Sequence, residues 1–136
     1  MGNPSYFFVQ STSHYLEIST NPAPVLTLSV YATSHEDRVK LDSSIQFVSD
    51  INNKNLSVSI ELIRNGTFLT SHVVQMDNPH TSQKENFLVI TDNMTWSDTP
   101  DTGLNLYQIV ATVLDEEPLL HPLFAGTRSI NATVFP

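Results

Sequence analysis

The sequence has 136 residues, a formal net charge of −8, 40% hydrophobic and 15% charged residues, and no cysteine. That length and composition describe one folded domain rather than a disordered segment, and the missing thiols exclude disulfides, zinc–thiolate sites and cysteine nucleophiles. Six scattered lysines and arginines against fourteen acids exclude a basic nucleic-acid surface. No apolar run reaches the about 20 residues of a membrane-spanning helix, and no basic stretch followed by an apolar one marks a secretory signal.

Residues 1–24 differ in character from the rest. Tyr6, Phe7, Phe8 and Val9 form an aromatic patch in a polar setting, and Tyr15, Leu16 and Ile18 form a second apolar patch. Asn21-Pro22-Ala23-Pro24 follows, and two prolines one residue apart interrupt sheet pairing and stiffen the chain. The segment reads as an N-terminal arm, residues 1–24, ahead of a domain over 25–136. The alternative is an ordinary first strand of that same domain.

Val25 to Ala32 reads as a strand with Leu26, Leu28 and Val30 on one face, followed by a polar turn at Ser34 to Asp37. Val39, Leu41, Ile45 and Phe47 then share one parity and Lys40, Asp42 and Gln46 the other, the pattern of a half-buried strand. Leu56 to Arg64 and Thr67 to Met76 flank Asn65-Gly66, whose two positive-φ positions suit a type I′ turn matched to strand twist. Leu56, Val58, Ile60 and Leu62 should face inward. A polar loop leads to a short strand, Phe87 to Thr91, and then to a turn over Asn93 to Gly103 around Pro100.

The most hydrophobic strand follows, Leu104 to Leu114, with no glycine, proline or charge before Asp115. Tyr107, Ile109, Ala111 and Val113 point one way. Leu104, Leu106, Val110 and Leu114 point the other, interrupted by Gln108 and Thr112. A strand with one wet face should alternate more cleanly. This one is therefore expected to be central, or covered on its outer face by another copy of the protein. Leu119 to Phe124 is an apolar loop between prolines, and Arg128 to Phe135 is the last strand.

No segment keeps a helical period over 11 residues. Seven or eight short strands separated by glycine, proline and asparagine imply an all-β fold, an antiparallel β-sandwich. Jelly-roll winding is the first choice of topology, and an immunoglobulin-like Greek key is not separable from it by sequence.

The chemistry of the chain is sparse. His14, His35, His72, His80 and His121 have no metal-ligand spacing and read as surface or loop residues. There is no G-x-S-x-G and there are only four glycines, so neither a nucleophile elbow nor a phosphate loop is present. Asp92, Asp98, Asp101, Asp115, Glu116 and Glu117 could gather at one end to hold calcium, but loop carboxylates more often stay solvated. Trp96, beside a turn, reads as a core plug rather than a sugar platform. The expectation is a protein that is not an enzyme and has no cofactor and no metal.

The informative feature is apolar surplus, which marks interfaces. An extended arm can add a strand to a neighbouring sheet, and head-to-tail repetition of that contact gives an open filament. The arm residues for such a contact are Tyr6, Phe7, Phe8, Val9, Tyr15, Leu16 and Ile18. The acceptor residues are Leu104, Leu106, Val110, Leu114, Leu119, Leu120 and Phe124.

The pattern Trp96-x-Asp98-x-Pro100-x-x-Gly103-x-x-x-Tyr107, the strand Gln108 to Leu114 and the closing Arg128-Ser129-Ile130-Asn131-Ala132-Thr133-Val134 resemble small β-sandwich proteins of the Bacillus spore surface. These include exosporium proteins and pilus-like endospore appendage subunits. The hairpin Leu62 to Thr67 is similar as well, and the resemblance spans residues 25–136. It implies a jelly-roll subunit of a fibre on a cell or spore surface, outside the cell. Its connector would dock into the next subunit, and an anchoring or tip protein would be a further partner. Appendage subunits lock the connector through cysteines, which this chain lacks, so its homopolymer would rest on noncovalent strand addition. The alternative is a homotrimeric head, similar to tumour necrosis factor-like domains, binding a receptor or glycan. Neither reading involves nucleic acid or membrane insertion.

Overall fold

Alternation of apolar and polar side chains with a period of two runs through most of the chain, and the segments that carry it become strands. The computed structural model describes residues 2–11, 15–50, 56–76, 87–115 and 122–136. In chain order the strands are β1 (Ser5–Ser11), β2 (Leu16–Ile18), β3 (Ala23–Ala32), β4 (Arg38–Asp50), β5 (Leu56–Arg64), β6 (Thr67–Met76), β7 (Phe87–Asp98), β8 (Gly103–Val113) and β9 (Leu123–Phe135). No helix occurs among the described residues.

The strands form two antiparallel sheets. One has the order β1-β9-β4-β7, with β2 continuing β1 along the same edge of β9; the other has the order β3-β8-β5-β6. The winding is jelly-roll. Taking β1 and β2 as one interrupted strand, the first strand pairs with the last, β3 with β8, β4 with β7, and β5 with β6. One long hairpin has thus been folded over on itself, and the β4–β9 and β5–β8 pairings close the roll. An immunoglobulin-like Greek key does not have this nesting.

The core lies between the sheets. From the β3-β8-β5-β6 sheet come Leu28 and Val30, Tyr107 and Ile109, Val58, Ile60 and Leu62, and Met76, all buried. From the facing sheet come Leu41, Ile45 and Phe47, and Leu123, Ile130 and Ala132. The alternation predicted for β5 and for the inward face of β8 is the alternation observed. The β5–β6 turn has Asn65 at φ 50° and Gly66 at φ 81°, the two positive values a type I′ turn requires.

Four expectations need correction. The expected arm is part of the sandwich. Ser5–Ser11 pairs with Val134 back to Arg128, and Leu16–Ile18 pairs with Ala125 back to Leu123, all within one chain. Phe7 and Val9 pack on the core and Ile18 is fully buried. Without these strands one edge of β9 would present unpaired backbone groups, which is costly. The boundary at residue 24 does not exist either, because β3 begins at Ala23 and contains Pro24. Proline is tolerated there because β3 is an edge strand with a bulge at Val25.

The third correction concerns β7. It is not a short strand ending at Thr91 but runs twelve residues to Asp98. Its inward positions include Asp92 and Asp98, which broke the hydrophobic pattern. Both carboxylates find partners inside the roll. Similarly, β9 begins at Leu123, five residues before the expected start, and takes Phe124 out of the apolar loop.

Candidate functional site

The outer face of the β3-β8-β5-β6 sheet carries the apolar side chains that the core does not use. On β8, Leu104, Leu106, Val110 and, just past the strand end, Leu114 point outward, opposite in parity to the buried Tyr107, Ile109, Ala111 and Val113. Register places Tyr31 of β3 beside Leu104. It also places Gln108 of β8, Ile63 of β5 and Phe68 of β6 in one cross-strand row. Leu104 is 67% exposed, Phe68 57%, Tyr31 56% and Val73 51%. Between them stand neutral residues, among them Thr27, Ser29, Ser57, Ser59, Ser71 and Gln75. Glu61 is the only charged residue at an outward register position of this sheet among the described residues.

One end of this face is held by a polar network. Asn65 at the β5–β6 turn exchanges two bonds with Leu106: its backbone N–H donates to the Leu106 carbonyl at 2.9 Å, and its Oδ1 accepts from the Leu106 N–H at 2.7 Å. Asn105 beside it is fully buried. Its Nδ2 donates to the Asp101 and Gly103 carbonyls at 2.7 and 3.1 Å, and its Oδ1 accepts from the Asp101 N–H at 3.0 Å and from Asn65 Nδ2 at 3.3 Å. All four bonding positions of the amide are used. Gly103, at φ 99°, supplies the backbone conformation that lets the β7–β8 turn close over it.

Beneath that turn, Asp98 Oδ2 accepts from Arg64 Nη1 at 2.6 Å and from the Tyr107 hydroxyl at 2.7 Å. Arg64 Nη1 also donates to the Thr99 carbonyl at 2.8 Å. Burial would lower the Arg64 pKa, but the hydrogen bond and charge of Asp98 outweigh it and raise the value. Burial, and then the hydrogen bond to Asp98, push the Tyr107 hydroxyl far above the ordinary tyrosine range. Both groups keep one protonation state over any physiological pH, so the network is a fixed tie between sheets rather than acid–base machinery.

The residues expected to form an interface do not meet on one surface. Leu104, Leu106 and Leu114 are exposed and Val110 half-buried on the face just described. Phe124 lies in the opposite sheet, its ring 6.0 Å from that of Tyr15. Leu119 and Leu120 lie outside the described residues. Of the expected arm, Phe7, Val9, Leu16 and Ile18 pack on or into the protein's own core, while Tyr6, Phe8 and Tyr15 stay exposed. Sequence reasoning missed Tyr31, Ile63, Phe68 and Val73 as parts of the apolar face. Their parity relative to the buried residues of their strands was the available signal.

The acidic residues do not converge. Asp92 bonds His72 Nε2 through both carboxylate oxygens at 2.9 Å, joining β6 to β7, and Asp98 serves Arg64 and Tyr107. His72 is therefore a partner across the roll rather than the plain surface histidine expected. Among the described residues no group of three or more His, Asp or Glu is placed to hold a metal ion. Glu116, Glu117, His14, His80 and His121 lie outside them. Trp96 packs, partly buried, against the core.

No protein-family model matches the sequence, and no curated protein matches it. Solved structures of similar fold do exist. T=1 particles derived from infectious bursal virus align over 96% of this chain with a TM-score of 0.56 and 10% identity. The VP2 subviral particle of infectious bursal disease virus aligns over 96% with a TM-score of 0.53 and 13% identity. The Gx strain of the same virus aligns over 97% with a TM-score of 0.52 and 14% identity. The chain spans about a third of the length of these proteins, 31–33%. At such identities the likeness is one of fold, and it agrees with the jelly-roll order of the strands.

Proposed function

We propose that this protein is a structural subunit that assembles with copies of itself through the outer face of the β3-β8-β5-β6 sheet. The observation that carries the proposal is the conjunction of exposed apolar side chains and near-absence of charge on that face. A chain with a net charge of −8 repels its own copies over most of its surface. A face whose only outward charge among the described residues is Glu61 is where two copies approach at least electrostatic cost. Burying what remains exposed of Tyr31, Phe68, Val73, Leu104, Leu106 and Leu114 is worth roughly 1 kcal/mol apiece. Both copies contribute, giving a gross gain on the order of the roughly 4–15 kcal/mol lost on association. One such contact is weak, which suits a subunit held by many repeated contacts. Structures of the same fold are described as particles, T=1 particles and a subviral particle, which supports assembly as a use of this architecture.

Strand addition by residues 5–20 is not the mechanism proposed, because Ser5–Ser11 and Leu16–Ile18 complete their own sheet. The extracellular, spore-surface setting rests on the resemblance carried by Trp96 to Tyr107 and Arg128 to Val134. A non-catalytic role belongs to the same proposal. Static light scattering and negative-stain microscopy across a concentration series test it. The wild-type protein should associate, and a Leu104→Lys, Leu106→Lys double variant should remain monomeric with unchanged far-UV circular dichroism. A monomeric wild type at the highest concentration would refute the proposal. A discrete trimer would favour the head-domain arrangement, and an open size distribution the fibre.

A further inference from the structure

The opposite face of the molecule has a different chemistry. On the outer side of the β1-β9-β4-β7 sheet, a shallow trough of about 240 Å³ is lined by Asp42, Ser44, Asn93, Thr95, Ser129 and Asn131. Register explains its form. Phe8, Asn131, Asp42 and Thr95 form one row across the four strands, and Gln10, Ser129, Ser44 and Asn93 form the next. Short hydroxyl side chains on the two central strands leave a depression between the longer groups on either side. At its β1 rim stand Phe8, 61% exposed and directly opposite Asn131, and Tyr6, 75% exposed, two residues along on the same face.

We propose that this trough binds a neutral oligosaccharide, with Phe8 and Tyr6 as the stacking platform and the amides, hydroxyls and Asp42 as hydrogen-bonding partners of sugar hydroxyls. The donor and acceptor types match. Asp42 Oδ1 accepts from Thr95 Oγ1 at 2.7 Å, which orients the carboxylate, and its side chain remains 40% exposed. An ionised carboxylate only accepts, and sugar hydroxyls donate to it; Asn93 and Asn131 do both. An aromatic ring beside such groups offers an apolar surface to the C–H face of a pyranose. Among the described residues no lysine or arginine lines the trough. Lys40, in the row of Tyr6, stands at its edge with Nζ 3.8 Å from Asp42 Oδ2, so its charge is offset by that carboxylate. With a chain charge of −8, phosphorylated, sulfated and sialylated ligands are disfavoured. A peptide is a poorer fit, because the trough lies on a sheet face, where the strand backbones are already paired across it, and its outward lining is polar rather than an apolar pocket for side chains. Three strand spacings of roughly 4.8 Å make the row about 14 Å long, room for an oligosaccharide rather than one ring. So open a site binds weakly, with Kd on the order of millimolar. Repetition on an assembly would raise the avidity, but single-site binding does not depend on assembly.

Saturation-transfer NMR with millimolar lactose, maltotriose and cellotriose, alongside an array of neutral and sialylated oligosaccharides, tests the site on the full chain. Transfer to ring C–H protons of at least one neutral sugar is expected. Phe8→Ala and Asn131→Ala should each weaken it about tenfold, the loss of one contact, with unchanged circular dichroism. Glu36→Gln, in the β3–β4 turn, should leave it unchanged. Silence toward every neutral sugar in both formats, binding confined to sialylated glycans, or binding that survives the combined Phe8→Ala, Asn131→Ala change would overturn the assignment.

Discussion

The hydroxyl of Tyr107 donates a 2.7 Å hydrogen bond to Oδ2 of Asp98, although β8 and β7 belong to different sheets. Arg64 of β5 reaches the same oxygen at 2.6 Å, so three strands and both layers meet at one carboxylate. Removing the hydroxyl leaves the ring packed and Asp98 short of one partner. Tyr107→Phe should therefore cost about 1.5–3 kcal/mol in urea unfolding at neutral pH. The pH dependence has a definite sign. The buried hydroxyl stays protonated in the folded state, while the unfolded chain ionises near pH 10. Above that pH the folded state holds the extra proton, and stability falls with a slope of up to about 1.4 kcal/mol per pH unit. The phenylalanine variant should lack this contribution to the slope.

Asn105 is buried with all four hydrogen-bonding positions occupied. Asn105→Ala strands two carbonyls and the Asp101 N–H beneath the β7–β8 turn. A loss of about 2–4 kcal/mol is expected. Hydrogen exchange at Asp101 and at Leu106, one residue beyond the substituted amide, should accelerate more than at Phe47 on the other side of the core.

Truncation separates the observed fold from the expected free arm. An arm docked in a neighbour leaves a soluble, folded monomer when removed. Here deletion of residues 1–20 uncovers one edge of β9 and takes Ile18 from the core. The truncated protein should aggregate through that edge or fail to unfold cooperatively. Solubility, size-exclusion profile and thermal melting distinguish the two outcomes.

Salt should strengthen self-association. Screening weakens the mutual repulsion of copies carrying a charge of −8, while an interface with little charge has little attraction to lose. Sedimentation velocity between 20 mM and 500 mM sodium chloride, concentrations set on either side of about 100 mM where the Debye length is near 10 Å, should show larger species at the higher salt. Dissociation on adding salt would point to contacts between opposite charges instead.

Local patterns in the chain were sufficient for most of its strands and for the β5–β6 turn. The alternation Leu56-Ser57-Val58-Ser59-Ile60-Glu61-Leu62 dictates a half-buried strand, because successive side chains leave opposite sides of the backbone. Asn65-Gly66 dictates its turn, because two positive φ values are needed there. The two-sided apolarity of Leu104 to Leu114 announced an interior strand with an unusual outer face, and β8 is that strand. Local pattern failed where polar residues face inward. Asp92 and Asp98 hid the length of β7, and only the arrival of His72, Arg64 and Tyr107 from distant strands makes their burial tolerable.

Partnership between distant segments was decided by the tertiary structure alone. Ser5 lies against Val134 at the far end of the chain, and nothing within either segment names the other. Backbone hydrogen bonds between strands are indifferent to sequence, so a segment rich in Tyr, Phe and Val reads equally as a donor to a neighbour or as a strand at home. The open edge of β9 resolves the choice. Closing it within the chain satisfies the backbone groups of both strands without the entropy lost in bringing two molecules together. The same nesting of first strand with last collects Phe8, Asn131, Asp42 and Thr95, widely separated in sequence, into one row on the surface.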